Sequence, residues 1–425
     1  MRKKKKNKKI ILYSLNILLT IFVLIFLTGC EEKESKVTSV TFWHAMGGPL
    51  GDALGELVNE FNLNHSNIKI ESISMGNYNA LSQKIIAGIL SHKTPTIAQV
   101  YSSWTSNLYE SNVIEPLENY INGKNGLSEE ELSDFYPVFI KDNTFDEKLI
   151  TLPFNKSVYN YYYNIDLFKR AGIDSFPKTW SSLLETALKL QKDEDPITAF
   201  GVSVGIYESV LYSFGGKIVD DNNNPSFYSE EGIKALQYLK DLIYEYRLAH
   251  LTTGYQHQDE FIAEKIAFIV GTSVSYAFIM RSDPEFRVGV APMPKEDTTG
   301  VIIMGTNVAL FEDKNDKEKN AAWEFIKWLV APEQQAEWAI KTGYVPVRKS
   351  TLELPEVKEH FKKVPGLKKV WEQLIYAELE PSDPAWLFGR QIFSQVGLEP
   401  VLRGGMDVKE NLRLAEEEVK ITLRR

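Results

Sequence analysis

The side chains that stand where strand-like runs give way to loops are those of a noncovalent binder. Trp43 and His44 close the run Val37–Trp43, and Tyr101-Ser102-Ser103-Trp104 closes the run Thr96–Tyr101. In open α/β sheets, ligands sit at that end of the strands. A polyhydroxylated ligand has apolar C–H faces and hydroxyl edges. Aromatic rings cover the faces, while amides, hydroxyls and carboxylates bind the edges. On this reading Trp43 borders a cleft with His44 beside it, and Trp104 offers a stacking face. Core packing competes at each position, because most of the 20 Tyr and eight Trp must lie in the interior.

Covalent chemistry finds less support. The six histidines are scattered, with no His-Glu-x-x-His and no paired-ligand spacing. No phosphate-cradling P-loop occurs. Among 57 acidic residues no spacing isolates the carboxylate pair of a glycosidase. Cys30 is the only cysteine, which excludes a disulfide framework and a thiolate metal site. No catalytic residue, no metal and no cofactor is expected.

The elements needed to position such residues follow a β-α-β-α-β order. Strands are predicted over 37–43, 68–74 and 96–101. Between them, Leu54, Leu57, Val58 and Phe61 have helical spacing, and so does the stretch 81–90. This order argues for a mostly parallel sheet flanked by helices. A second region repeats it. Strands are predicted at 149–154, 159–163, 199–205, 266–270, 288–291 and 301–310. A helix follows the Thr179 cap, a long one spans Ile233–Ile243, and another runs from Ala322 to Leu329.

The first thirty residues read differently. Arg2 and six lysines precede the apolar stretch Ile10–Leu27, which ends at Leu27-Thr28-Gly29-Cys30. A basic head, an apolar middle and a small-residue end describe a secretory signal. An uncleaved membrane anchor is the competing reading. Either places the rest of the chain outside the cytoplasm, with residues 31–36 as a charged tether. Removal of residues 1–30 leaves 41 basic against 57 acidic residues, a net charge of −16. So acidic a chain lacks the footprint for nucleic acid. The 395 remaining residues suffice for two cores.

Leu27-Thr28-Gly29-Cys30 resembles the lipobox of bacterial lipoproteins, whose cysteine is acylated; stable anchoring takes more than one acyl chain. Behind it comes an ordered set of segments. They are Phe42-Trp43-His44-Ala45-Met46-Gly47, Gly76-Asn77-Tyr78, Gln99-Val100-Tyr101, Leu152-Pro153-Phe154-Asn155 and the stretch Tyr162–Gly172. Pro177-Lys178-Thr179-Trp180 and Lys341-Thr342-Gly343-Tyr344-Val345-Pro346-Val347 complete it. The set resembles the extracellular solute-binding proteins of ABC transporters (family 1), in the branch that binds sugars and glycerol 3-phosphate. The resemblance implies an α/β, two-lobed periplasmic-binding-protein fold of type II, each lobe a mixed, mostly parallel sheet flanked by helices, joined by strand crossings. Residues 37–152 with 290–343 would form lobe 1, and 153–289 with 344–425 lobe 2.

By the same resemblance, Tyr78, Ser157, Thr272, Ser273, Gly305 and Tyr344 match ligand-contact positions, with Thr272 in place of serine. Ser102 stands where glycerol-3-phosphate binders carry glutamate, which removes an acceptor-only group. The family's phosphate-handling arginine aligns with Gln391, one residue beyond Arg390, and one residue turns a helical side chain by about 100°. Trp386 nearby would suit a sugar ring. Packing, turn or hinge roles compete at each of these positions, Asn155 included.

The expectation is a monomeric, extracytoplasmic binding protein, lipid-anchored at Cys30, that captures a sugar or oligosaccharide and hands it unaltered to an ABC permease. Glycerol 3-phosphate or a glycerophosphodiester is the alternative ligand. The alternative functions are an exported lipoprotein enzyme such as a glycosidase, and a receptor lipoprotein with a vestigial cleft.

Overall fold

The structure, a computed structural model, describes residues 37–381, 383 and 385–423. Cys30, the signal and the tether 31–36 lie outside the described residues. Strand β1 (Thr38–His44) pairs in parallel with β2 (Ile68–Ser74) and β3 (Ile97–Val100). Helix α1 (Pro49–Asn64) has Pro49 in its first turn, where its missing N–H costs nothing, and buries Leu54, Leu57, Val58 and Phe61. Helix α2 (Tyr78–Leu90) starts at Asn77, whose side chain accepts from the Ala80 N–H at 2.9 Å. Helix α3 (Ser102–Glu110) follows β3 directly.

The next strand, β4 (Leu152–Asn164), is 13 residues long and buried along nearly all of its length. It replaces the two strands expected at 149–154 and 159–163. The intervening Asn155-Lys156-Ser157 is polar but holds neither Gly nor Pro, and its pairing with the neighbouring strand continues through it. Helix α4 (Trp180–Leu190) is capped by Thr179 as expected. Strand β5 (Thr198–Phe200) is shorter than expected, because Ser203 caps a new helix, α5 (Val204–Ser213). All of α5 but Tyr212 is buried. Helix α6 (Glu230–Tyr244), β6 (Ala249–Leu251), β7 (Phe268–Thr272), α7 (Ser275–Arg281) and β8 (Val288–Pro292) follow. The chain then gives β9 (Ile302–Phe311), α8 (Asp316–Leu329), α9 (Pro332–Thr342), β10 (Glu378–Leu379), α10 (Trp386–Ile392) and α11 (Val408–Leu423).

One hydrogen-bonded path runs β2-β1-β3-β9-β4-β7-β5-β6, with β8 also on β4 and β10 on β9. Its mixed character comes from β9, antiparallel to both β3 and β4, and from β4, antiparallel to β7 and β8 as well. The two ends of β4 serve different neighbours. Leu152–Val158 pairs with β9, whereas Tyr159–Asn164 pairs with β7 and β8. The chain crosses again between Pro292 and Ile302. A third crossing is at Tyr344–Val345, where Val345 bridges Lys156. The boundaries expected at 153 and 290 therefore fall inside strands β4 and β8.

Two large cores flank the crossings. One gathers Phe42, Phe61, Phe154, Phe325 and Trp338, and takes Ile269 and Val290 from the far side of β4. The other gathers Phe168, Trp180, Tyr207, Phe227, Trp386 and Phe393. Among the described residues no helix is long and apolar enough to cross a membrane.

His44 locks the end of β1. Its Nδ1 accepts from the Met46 N–H at 3.1 Å, which leaves the ring proton on Nε2, 2.8 Å from Ser72 Oγ. Burial lowers its pKa from 6.5 to about 4. Below the unfolded value the unfolded chain takes up a proton that the folded chain refuses, so stability is lost as pH falls from 6.5 towards 4. Between about pH 7 and about pH 4.5 this amounts to about 2 kcal/mol. Urea unfolding at both pH values should show that loss in the wild type and a smaller one in His44→Gln. Equal losses would mean that the ring is protonated in the folded state.

Candidate functional site

A cavity of about 530 Å³ opens where the crossings meet the two cores. One wall comes from the start of α2 and from the β3–α3 junction. It presents Tyr78, Tyr101, Ser102 and Trp104. Their positions follow from the parallel β1-β2-β3 unit, which carries these junctions to one end of the sheet. The rings form a cluster: Tyr78 lies 4.9 Å from Tyr101, and Trp104 stands edge-on to Tyr101 at 5.1 Å.

The floor is built on the crossing strands. Lys156, only 1% exposed, donates to Asp142 at 2.6 Å, and Asp142 also accepts from Ser102 Oγ at 2.5 Å and Asn307 Nδ2 at 3.3 Å. A buried ammonium demands such a partner, since an unpaired charge in the interior is very costly. Gly305 lies beside this pair at φ +107°, and a Cβ there would stand 2.0 Å from the Asn155 carbonyl oxygen. Asn155 itself links three elements. Its Nδ2 donates to Tyr78 Oη at 3.0 Å, its Oδ1 accepts from Gln99 Nε2 at 3.1 Å, and Thr306 Oγ1 also donates to that oxygen. Gln99 Oε1 in turn accepts from the Ala45 N–H at 2.9 Å. Burial pushes the Tyr78 and Tyr344 phenols upward, so both remain neutral and able to donate.

The opposite wall carries Glu380, Pro381, Trp386 and Arg390. Arg390 reaches Glu380 Oε1 through both Nε and Nη2 at 3.2 Å, with about a third of its side chain exposed. Behind this pair stands Glu208 of α5, fully buried, with its carboxyl against that of Glu380. Burial first, and then the Glu380 charge, push its pKa well up, against the opposing pull of Arg390.

Of the residues singled out from sequence, Tyr78, Ser102, Trp104, Gly305 and Arg390 border this cavity, and so does Trp386. Arg390 faces it while Gln391 is exposed. The others stand behind the wall. Trp43 packs half-buried on the cluster around Leu81 and Ile85. Ser157 is buried within β4. The carbonyls of Thr272 and Ser273 accept from the Tyr162 hydroxyl at 2.8 and 2.9 Å. Tyr344 is 5% exposed and stacks on Trp338 at 5.4 Å. Sequence reasoning missed Tyr101, Asp142, Lys156, Glu208 and Glu380. A lysine inside a strand buried on both sides, and a glutamate inside the apolar run of α5, were the available signals.

The family model described as bacterial extracellular solute-binding protein matches residues 56–365. The sn-glycerol-3-phosphate-binding periplasmic protein UgpB of Pectobacterium atrosepticum is 30% identical over 414 residues, 91% of this chain and 92% of that protein. The structure of UgpB from Mycobacterium tuberculosis in complex with glycerophosphocholine superposes with a TM-score of 0.80 at 22% identity, covering 91% of this chain and 98% of that one. The cyclic α-maltosyl-1,6-maltose binding protein from Arthrobacter globiformis gives 0.78 at 24% identity, with 91% and 99% covered.

The close approach at Gly305 is testable against Gly76, whose φ is also positive (+89°) but which has open space around its Cβ position. Gly76→Ala should cost about 1 kcal/mol, the left-handed penalty alone. Gly305→Ala should cost about 3 kcal/mol, since β4 and β9 must also separate. Urea unfolding measures both, and equal costs would show that the strands yield freely at Gly305.

Proposed function

The chain belongs to the family of bacterial extracellular solute-binding proteins, and from that premise we propose that it captures a sugar or oligosaccharide between two lobes and passes it, unaltered, to the transmembrane permease of an ABC importer. The observation that carries this reading is the cavity itself. Its volume of about 530 Å³ suits a small organic solute. Tyr101 and Trp104 line one side and Trp386 the other, with charged and amide donors and acceptors between them. That is the lining a carbohydrate wants: rings for its C–H faces, polar pairs for its hydroxyls.

Lobe 1 would hold residues 37–152 and 290–343, and lobe 2 residues 153–289 and 344–425. Strand pairing supports moving the first two of these bounds, to near Tyr159 and to between Pro292 and Ile302, and keeping the third at Tyr344. A solute touching Trp104 on one side and Arg390 on the other favours the closed arrangement, which a permease reads as the loaded state. Tyr78, Ser102, Trp104, Gly305 and Arg390 would touch the solute. Trp43, Ser157, Thr272, Ser273 and Tyr344 would support them from behind. A glycerophosphodiester is the second reading, favoured by Arg390 on the cavity wall. The protein works outside the cytoplasm as a monomer, held at the membrane by acylation of Cys30.

Screening neutral sugars, glycerol 3-phosphate and glycerophosphodiesters by thermal shift tests the reading. A ligand at a hundred times its dissociation constant stabilises the protein by about 2.7 kcal/mol. No saturable ligand in the set would remove it, and recovery of a chemically altered sugar would replace it with an enzyme. For the sugar that binds, Trp104→Ala should weaken binding about tenfold by calorimetry, or about 1.4 kcal/mol, with the unliganded melting temperature little changed. Unaltered affinity would take Trp104 out of the site. Cys30→Ser should move the protein from the membrane fraction of its native cells into the soluble one or leave an unprocessed precursor; normal processing and membrane retention would exclude the acyl anchor.

A further inference from the structure

Every charge on the cavity wall already has an answer. Lys156 is paired with Asp142, and Arg390 with Glu380. Behind Arg390, burial and then the neighbouring Glu380 push the pKa of the Glu208 carboxyl well up. Two cations thus face two anions, and no lining cation stands unpaired among the described residues. The two pairs differ in strength of confinement. Lys156 is 1% exposed and its partner 11%, and Asp142 is held by two further donors. Arg390 and Glu380 are 35% and 23% exposed, and the Glu380 side chain also meets the neighbouring Glu208 carboxyl. Of the two cations, Arg390 is the one an incoming ligand can reach.

We infer that Glu380 is a specificity-determining residue of this cleft: by occupying the Arg390 guanidinium it selects solutes without net charge and turns away phosphate monoesters. The inference rests on the solute-binding reading. A neutral diol needs no displacement, since one hydroxyl donates to the Glu380 carboxylate while another accepts from Arg390. A zwitterion can place its phosphate towards Arg390 and its cation towards Glu380. A phosphate monoester dianion has neither option. It must expel the carboxylate from the guanidinium or lie beside it in a site where burial strengthens the repulsion.

Calorimetry on the folded, processed protein with glycerol 3-phosphate as probe tests this. Glu380→Gln keeps the shape and removes the charge, so glycerol 3-phosphate should bind at least tenfold more tightly than to the wild type. The gain should shrink with added salt and vanish in the double variant Glu380→Gln/Arg390→Gln. No gain in Glu380→Gln, or a gain that survives loss of Arg390, overturns the inference. Glu380→Ala carries the same expectation should the amide variant fold poorly. Should both fail to fold, the wild type decides: binding glycerol 3-phosphate as tightly as glycerophosphocholine or any sugar overturns the inference. The outcomes separate the two readings. Sugar binding without the gain sinks only the role of Glu380. The gain without any sugar binding sinks only the sugar reading.

Discussion

The polar middle of β4 constrains the rest of the molecule. A strand shared by two groups of neighbours is ordinarily an apolar element, because both of its faces are covered. Here Asn155, Lys156 and Ser157 interrupt it at the point where its pairing passes from β9 to β7 and β8. Buried polar groups need partners, and the partners come from different elements. Asn155 engages Gln99 of β3, Tyr78 of α2 and Thr306 of β9. Lys156 engages Asp142 and, through its backbone, Val345. These bonds fix where the crossings lie, and they also make the cavity floor polar. Of the groups that hold the crossing strands in register, Tyr78, Asp142 and Lys156 also line the cavity.

That coincidence gives a route from occupancy to conformation. A ligand shifts an equilibrium only by its differential affinity for the two states. Contacts confined to one wall would be equal in open and closed forms. The cavity instead takes Tyr78 and Trp104 from the elements around β1–β3, and Trp386 and Arg390 from a segment whose Trp386 is packed into the other core. A solute that spans them is bound fully only when the walls approach. The stiffness of each wall matters as much as its chemistry, since slack side chains would absorb the difference. The stacked Trp338–Tyr344 pair behind Tyr78, and the Trp386 ring in its apolar core, supply that stiffness.

Much of this was legible in the sequence, unevenly and for physical reasons. Strand β2 matched its expected range residue for residue, because Ile68, Ile70 and the polar residues between them alternate cleanly. The Thr179 cap was readable as local hydrogen-bond chemistry. Helix α5 was not. Its residues are buried nearly all round, and a segment without a polar face shows no helical period to distinguish it from a strand. The missed Glu208 went with it. At Arg390 the sequence left two adjacent candidates, and only the orientation of α10 separates them. Asp142 gave no signal at all, since its role depends on Lys156 and Ser102, which lie far from it along the chain. Tyr344 was identified as a site residue by resemblance, yet the structure keeps its ring behind Tyr78, a distinction only packing reveals.

The charge of the whole chain bears on the same question as the charge of the cleft. The net charge of the full sequence is −9, and it becomes −16 without the first thirty residues. At physiological salt that field decays within about 8 Å of each charge, so it governs approach rather than final contacts. A neutral solute is indifferent to it, whereas a dianion is slowed before it reaches the mouth. Inside, the local arrangement takes over, and there the positive charges are matched one for one by Asp142 and Glu380. A protein built to harvest phosphate monoesters would gain from the opposite design at both ranges, a basic approach and an unpaired guanidinium. The net negative charge of the chain and the pairing of both cavity cations therefore act in the same direction on a dianion, and both disfavour it.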